Sequence, residues 1–161
     1  MRPLVLVGLA PASPALGGYA VLAPLAAHYL DQRFQLQWTA PEAARVIGLA
    51  AVCLGCLAGL WALHTLESRN KARRDSLEPD ELVTAGPYRL SRNPLMLGCA
   101  LAGFGLALAL ASPVLTAAYV AAAFAAVGYV TTVEEPLLEN RFGAAYREYA
   151  RRTPRWLGRV R

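Results

Sequence analysis

The chain has 161 residues, of which 56% are hydrophobic and only 17% are charged, and its formal net charge is +5. Soluble domains carry about a quarter charged residues, so this composition argues against an ordinary soluble protein. The apolar residues cluster in four runs, 4–30, 43–66, 95–111 and 114–133. Each run is close to the roughly 17–25 residues of a transmembrane helix. The sequence therefore predicts one all-α integral membrane domain with four transmembrane helices.

The first run, 4–30, contains Pro11, Pro14 and Pro24 as well as a pair of glycines. Membrane helices tolerate these residues where neighbouring groups satisfy the freed backbone, so the run predicts one kinked helix. A secretory signal peptide is the alternative. Only Arg2 precedes the apolar run, however, and the run is longer than such a signal requires.

Basic residues are distributed unevenly between the apolar runs. The connection after the first run holds only Arg33, with Arg45 at its edge, whereas the loop 67–94 and the residues after 133 hold most of the others. Loops rich in Lys and Arg remain in the cytoplasm, which predicts that both termini and the loop 67–94 are cytoplasmic. The positive charge is thus a signal of topology. We expect no nucleic-acid partner, because no soluble domain with a basic face is apparent.

The second run contains Cys53 and Cys56 in a C-x-x-C spacing, and the third run contains Cys99. A C-x-x-C inside an apolar helix, without a second pair, is more typical of packing than of metal or redox chemistry. His28 and His64 end different runs on opposite predicted sides of the membrane. The sequence therefore predicts no metal site.

Runs three and four are separated only by Ser112-Pro113, which predicts a tight antiparallel helical hairpin. Both runs are rich in glycine and alanine, and small residues let membrane helices approach closely. Such faces would also permit dimers, so the oligomeric state is left open.

Two adjacent carboxylates, Glu134 and Glu135, follow the fourth run after about twenty uncharged residues. Ionisable groups at membrane depth are costly and usually mark a functional site or an ion pair. The structural alternative is a solvated helix end, or pairing with Arg92 or Arg141.

The residues after this pair, 136–150, have an amphipathic pattern. Leu138, Phe142, Ala145 and Tyr149 recur at helical spacing, with charged residues between them. This predicts a C-terminal interfacial helix, which would also cover a cavity between the spans and the loop 67–94.

One ordered combination of motifs resembles a known family. The order is G-P-Y-R-x-x-R-N-P-x-x-x-G from Gly86, an apolar hairpin, E-E-x-x-L from Glu134, F-G-x-x-Y-x-x-Y from Phe142, and Pro154-Arg155-Trp156. It is similar to the isoprenylcysteine carboxyl methyltransferase and phospholipid methyltransferase superfamily, most closely to its small bacterial members. The resemblance covers about 80–157. No single motif is specific, but the ordered set is.

The resemblance implies a membrane methyltransferase of the bacterial inner membrane that is surrounded by membrane lipids, binds S-adenosylmethionine at the cytoplasmic face and methylates a lipophilic substrate that enters from the bilayer. Glu134 would hold the amino group of the cofactor. The full set of implied cofactor-binding residues is Asp80, Glu81, Leu82, Val83, Tyr88, Asn93, Pro94, Leu95, Met96, Gly98 and Glu134. The candidate catalytic residues are Arg92 and Glu135, and no general base is identified.

The acceptor is left open between a prenylcysteine-like carboxylate or thiol and a lipid headgroup. Val130 stands where the eukaryotic prenylcysteine enzymes resembled here carry an arginine, which argues against prenylcysteine itself. Two other functions are compatible with the sequence. One is a non-catalytic membrane scaffold subunit, and the other is an NADPH-dependent membrane reductase similar to the sterol reductases.

Overall fold

A computed structural model describes residues 14–36, 39–76 and 82–158, and within these ranges it is helical, with no strand. Helices are bounded as follows: α1 Pro14–Arg33, α2 Glu42–Ser76, α3 Pro94–Ala109, α4 Pro113–Tyr129, α5 Glu135–Phe142 and α6 Ala144–Arg152. A 3-10 turn, Gly86–Arg89, precedes α3, and a π-helical segment, Val130–Glu134, joins α4 to α5. The all-helical prediction is confirmed for the described residues.

Two stretches of helix in the described part of the chain, Glu42–Arg69 and Pro113–Phe142, are long and apolar enough to cross a membrane. Only 22% and 11% of their most apolar windows are buried inside the protein, which is unlike the core helix of a soluble domain. Helix α3 has 16 residues, or about 24 Å, against roughly 30 Å of hydrocarbon. Residues 4–13 of the first predicted span lie outside the described residues. Four spans therefore stay a prediction.

Helix α2 is longer than its apolar run, because it continues from residue 66 to Ser76. The first part of the predicted cytoplasmic loop 67–94 is thus helical, and where the membrane span ends stays a prediction. Six of the ten residues 67–76 are Arg, Lys, Glu or Ala, which favour helix regardless of hydropathy.

Glycines bring α2 and α3 into backbone contact. A Cβ atom added to Gly48 would lie 2.6 Å from both the Ala109 nitrogen and the Gly105 oxygen. A Cβ atom added to Gly98 would lie 2.7 Å from the nitrogen of Gly59. Small residues therefore do permit close approach, as predicted, but here they join α3 to α2 as well as to α4.

A buried carboxylate joins α1 to the start of α4. Asp31 is 1% exposed, and its carboxylate accepts hydrogen bonds from the Ser112 hydroxyl and, at 3.2 Å, from the Val114 amide. The Ser112 side chain in turn accepts from the Leu115 amide at 3.0 Å. Both acceptors satisfy free N–H groups of the α4 N-terminus, where a negative charge is also favourable.

The helical path is continuous from Pro113 through the π segment to Phe142 and breaks at Gly143, which has φ of 54°. Glycine adopts this positive φ without a Cβ penalty. The stretch 136–150, predicted as one amphipathic helix, is thus two helices, α5 and α6. Because the chain turns at Gly143, α6 comes back over the residues that precede α3.

Candidate functional site

The connecting turn, 86–93, is held by the C-terminal segment, 149–155, through hydrogen bonds that span more than fifty positions of sequence. The Tyr149 hydroxyl donates to the Tyr88 carbonyl at 2.7 Å, and the Arg92 amide donates to the Pro154 carbonyl at 2.9 Å. The Arg155 carbonyl accepts from the Ser91 hydroxyl at 3.0 Å and from the Asn93 side-chain amide at 3.1 Å. These bonds satisfy polar groups that would otherwise be costly to bury.

Glu135 joins both segments to the helix that follows the π segment. Its carboxylate accepts from Arg155 Nε at 2.8 Å and Nη2 at 2.6 Å, and it pairs with Arg92 Nη1 at 2.8 Å. The paired side chains of Arg92 and Glu135 are each 15% exposed. Such a charge-assisted network fixes position more than isolated surface pairs do. The hydrogen bonds that Arg155 donates to the Glu135 carboxylate raise the pKa of Arg155.

Glu134 has a different environment, although it is adjacent in sequence. Its Oε2 atom is buried, and no donor in the described ranges reaches it. Burial raises the pKa of Tyr88 to about 12, and the nearby charge of Glu134 contributes to this rise as the smaller cause. The Tyr88 hydroxyl thus remains protonated at neutral pH. A buried carboxylate oxygen without a donor calls for a cationic or hydrogen-bonding partner.

A cavity of about 720 Å³ opens between the π segment and α6. Its wall includes Thr131 and Glu135 on one side and Tyr146, Arg147 and Arg151 on the other. The volume is within the range of small-molecule sites, roughly 300–1,000 Å³. Glu134 does not line this cavity, so the two adjacent carboxylates face different surroundings.

The predicted cofactor residues fall into several environments. Asp80 and Glu81 lie outside the described residues. Leu82 and Val83 are half-buried in the irregular segment that precedes the 3-10 turn. Asn93 is 8% exposed and is bonded to the Arg155 carbonyl. The remaining predicted residues are placed as follows: Pro94 opens α3, Leu95 and Met96 are half-buried in its first turn, and Gly98 faces α2. Cofactor binding by this set stays a prediction.

The structure brings the two candidate catalytic residues, Arg92 and Glu135, into one ion pair. The sequence had offered this pairing as the structural alternative for the acidic pair, and it is confirmed for Glu135. Arg155 and Tyr149 complete the arrangement, and sequence reasoning missed the contacts of both. Tyr149 stood out only as part of an apolar pattern, and Arg155 only as one of the basic residues of the tail.

Metal-ligating side chains do not converge in the part of the chain that the structure describes, where no group of three or more His, Cys, Asp or Glu could hold an ion. Cys53, Cys56 and Cys99 are free thiols on exposed helix faces.

Two long apolar helices with exposed surfaces are typical of a membrane protein, and the polar site lies where α3 begins and α4 ends. The chain belongs to the phospholipid methyltransferase family, whose model matches residues 43–145. The match includes the connecting turn, Glu134 and Glu135, and it confirms the superfamily that the motifs resemble. No solved structure matches the chain.

Two curated relatives carry names that refer to metal resistance. The nickel-cobalt-cadmium resistance protein NccN of Alcaligenes xylosoxydans xylosoxydans is 30% identical over 114 residues, which are 71% of this chain and 49% of the relative. The cobalt-zinc-cadmium resistance protein CzcN of Cupriavidus metallidurans is 31% identical over 129 residues, 80% of this chain and 55% of the relative. The chain thus spans about half the length of these relatives.

Proposed function

We propose that this protein transfers a methyl group from S-adenosylmethionine to a lipophilic acceptor at the cytoplasmic face of the membrane. Family membership supports a methyltransferase acting on lipids. The observation that carries the choice of cofactor is the buried Oε2 of Glu134, which lacks a donor within the described residues. The α-ammonium group of S-adenosylmethionine is a donor of the required charge, and a carboxylate in a low-dielectric site attracts it strongly.

Each residue of the site would have a separate role. Glu134 would bind the ammonium group, and Tyr88, protonated at neutral pH, would offer a neutral hydroxyl beside it. The cofactor supplies an activated methyl group on a sulfonium. The protein would supply alignment and exclusion of water, through the connecting turn and the C-terminal segment bonded to it. Arg92 and Glu135 would keep that segment in position.

Calorimetric titration of the detergent-purified protein with S-adenosylhomocysteine tests this proposal. We expect micromolar binding by the wild type and a loss of about tenfold or more in Glu134→Gln, because removing one partner of a buried charged contact typically costs at least about 1.4 kcal/mol. Glu148→Gln is the matched control, because the Glu148 side chain is 45% exposed, pairs with Arg151 and Arg152 at the surface and does not line the cavity. It should bind as the wild type does.

Absence of binding by a folded wild type, both in detergent and in lipid nanodiscs, would refute the cofactor assignment. A scaffold subunit would bind neither S-adenosylhomocysteine nor NADPH, whereas a reductase would bind NADPH. Equal losses in Glu134→Gln and Glu148→Gln would show that the effect is one of net charge, and would remove the assigned role of Glu134.

A further inference from the structure

Glycine contacts fix the register between α2 and α3. A Cβ atom added to Gly48 would meet the backbone of residues 105 and 109 of α3, and one added to Gly55 would meet that of residues 98 and 102. A step of seven residues forward along α2 thus corresponds to seven residues back along α3, so the two helices are antiparallel. Gly55 is level with the middle of its facing turn, and the next position of α2 is therefore level with residue 99 of α3.

This register places Cys56 of α2 level with Cys99 of α3. Each cysteine directly follows a glycine of the contact, Gly55 in α2 and Gly98 in α3. Successive helical residues are rotated by about 100°, and in antiparallel helices this rotation brings both cysteines to the same side of the pair. The two thiols are close enough to interact electrostatically, and both cysteines are exposed. Two thiol groups therefore lie beside each other on one flank of the α2–α3 contact.

The third thiol, Cys53, is turned away from α3. It precedes Gly55 by two positions, which is a rotation of about 200° from the contact. The described residues accordingly contain no group of three or more metal-ligating side chains. Structural Zn²⁺ takes four ligands, and Ca²⁺ and Mg²⁺ take oxygen ligands, so neither kind of ion suits this pair. A thiophilic ion that accepts two ligands does.

The apolar surroundings select among such ions by charge. Val52 and Leu60 lie one turn to either side of Cys56, Leu95 lies one turn before Cys99, and Leu60 is 62% exposed. A net charge is costly in such an environment. A monovalent ion between two thiolates would leave one negative charge, whereas a divalent ion between them is neutral. Mercuric ion is divalent, thiophilic and stable with two ligands, and its chloride is itself a neutral molecule.

We propose that Cys56 and Cys99 form a binding site for one mercuric ion, which bridges the two sulfur atoms and joins α2 to α3. Two mercury–sulfur bonds replace two mercury–chlorine bonds. Each thiol proton leaves with a chloride as hydrogen chloride, and no oxidation state changes. The site is independent of the proposed function, because neither cysteine belongs to the connecting turn or lines the cavity beside the π segment.

Mass spectrometry under non-denaturing conditions tests the proposal. The whole chain in dodecyl maltoside is reduced, freed of reductant and given one equivalent of mercuric chloride. A bridged monomer gains one mercury and loses two hydrogens, whereas binding to a single thiol retains one chloride. We expect the bridged monomer as the main product of Cys53→Ala. Cys56→Ala and Cys99→Ala should each yield about tenfold less of it or lower, because the second thiol acts as an intramolecular ligand.

Cys53→Ala is the matched control, because it also removes an exposed thiol from α2. Alanine favours helix, so all three variants should fold as the wild type does, which thermal melts check before mercury is added. Equal yields of the bridged monomer from Cys53→Ala and Cys99→Ala would overturn the proposal, since the C-x-x-C pair would then bind the ion as well. A chloride-retaining adduct as the main product of Cys53→Ala would overturn it too. So would a mercury bridge between two protein molecules, which the mass of a dimer would reveal.

Discussion

The hydrogen-bonded contact between the connecting turn and the C-terminal segment depends on one carboxylate, and Glu135→Gln tests this dependence. Glutamine has the shape of glutamate but no charge, so Arg92 and Arg155 lose their common anionic partner. Loss of one member of a buried ion pair costs about 3–5 kcal/mol. Because the Arg155 side chain is 38% exposed, we expect a smaller free-energy cost, about 2–3 kcal/mol, for opening of the contact.

That cost corresponds to about a 30- to 150-fold increase in the population of the open form, since about 1.4 kcal/mol is a factor of ten. Hydrogen exchange followed by mass spectrometry measures it directly, in peptides covering 86–97 and 144–158. The Arg92 amide, bonded to the Pro154 carbonyl, should exchange faster by this factor. The helices α2 and α3, which contact each other through glycines, should exchange as in the wild type.

Glu148→Gln is the control for this experiment. Glu148 also meets two arginines, Arg151 and Arg152, but their side chains are 73% and 77% exposed. Exposed pairs contribute about 0.2–1 kcal/mol, so exchange should rise by less than about fivefold. Equal acceleration of exchange by Glu135→Gln and Glu148→Gln would refute the dependence of the contact on Glu135. Unchanged exchange at residues 86–97 in both variants would refute it as well.

Two further predictions concern packing and pH. Gly48→Ala should destabilise the protein by about 1–3 kcal/mol, because its methyl group would meet the backbone of α3. Gly128→Ala is the control: no atom lies within 4 Å of the added carbon, and the higher helix propensity of alanine should stabilise the protein. Thermal melts that show the reverse order of stability would contradict the close packing of α2 on α3. The raised pKa of Tyr88 means that its stabilising contribution is complete below the unfolded value of about 10 and is lost as pH rises towards about 12. Tyr88→Phe should therefore reduce the loss of stability over that pH range, which thermal melts of the two proteins between about pH 9 and pH 12 would measure.

Local signals in the sequence predicted much of the architecture. Long apolar runs identify helices α2, α3 and α4. Pro94 indicates the start of α3, because proline is favourable in the first helical turn. Hydropathy did not indicate where α2 ends, because it reports where a bilayer can lie, whereas Glu, Lys and Arg continue the helix beyond the apolar run. The break at Gly143 did have a sequence signal, since glycine commonly ends helices, but the amphipathic pattern across it obscured that signal.

The contacts of the candidate site were harder to predict. Pairing of Glu135 with Arg92 was foreseeable from charge, but Arg155 has the same composition signal as every other arginine of the tail. Its carbonyl, which accepts from Ser91 and Asn93, has no sequence signature at all. Backbone acceptors become specific only when the chain returns to the same place, and that return depends on the turn at Gly143. Likewise, nothing local distinguishes the buried Asp31 from a loop residue.

The long sequence separation of these contacts sets the order of events while the chain is being synthesised. Ser91 and Arg155 are 64 positions apart, which at about 5–20 residues per second is an interval of roughly 3–13 s. The facing glycines of α2 and α3 all precede residue 106, so they leave the ribosome within that interval and ahead of Pro154 and Arg155, whose carbonyls accept from Ser91, Arg92 and Asn93. Helix packing can therefore be complete while the site is still open. The helices of a nascent chain can thus be packed before the candidate site is formed, and the last turn of α6 with the residues beyond it completes that site.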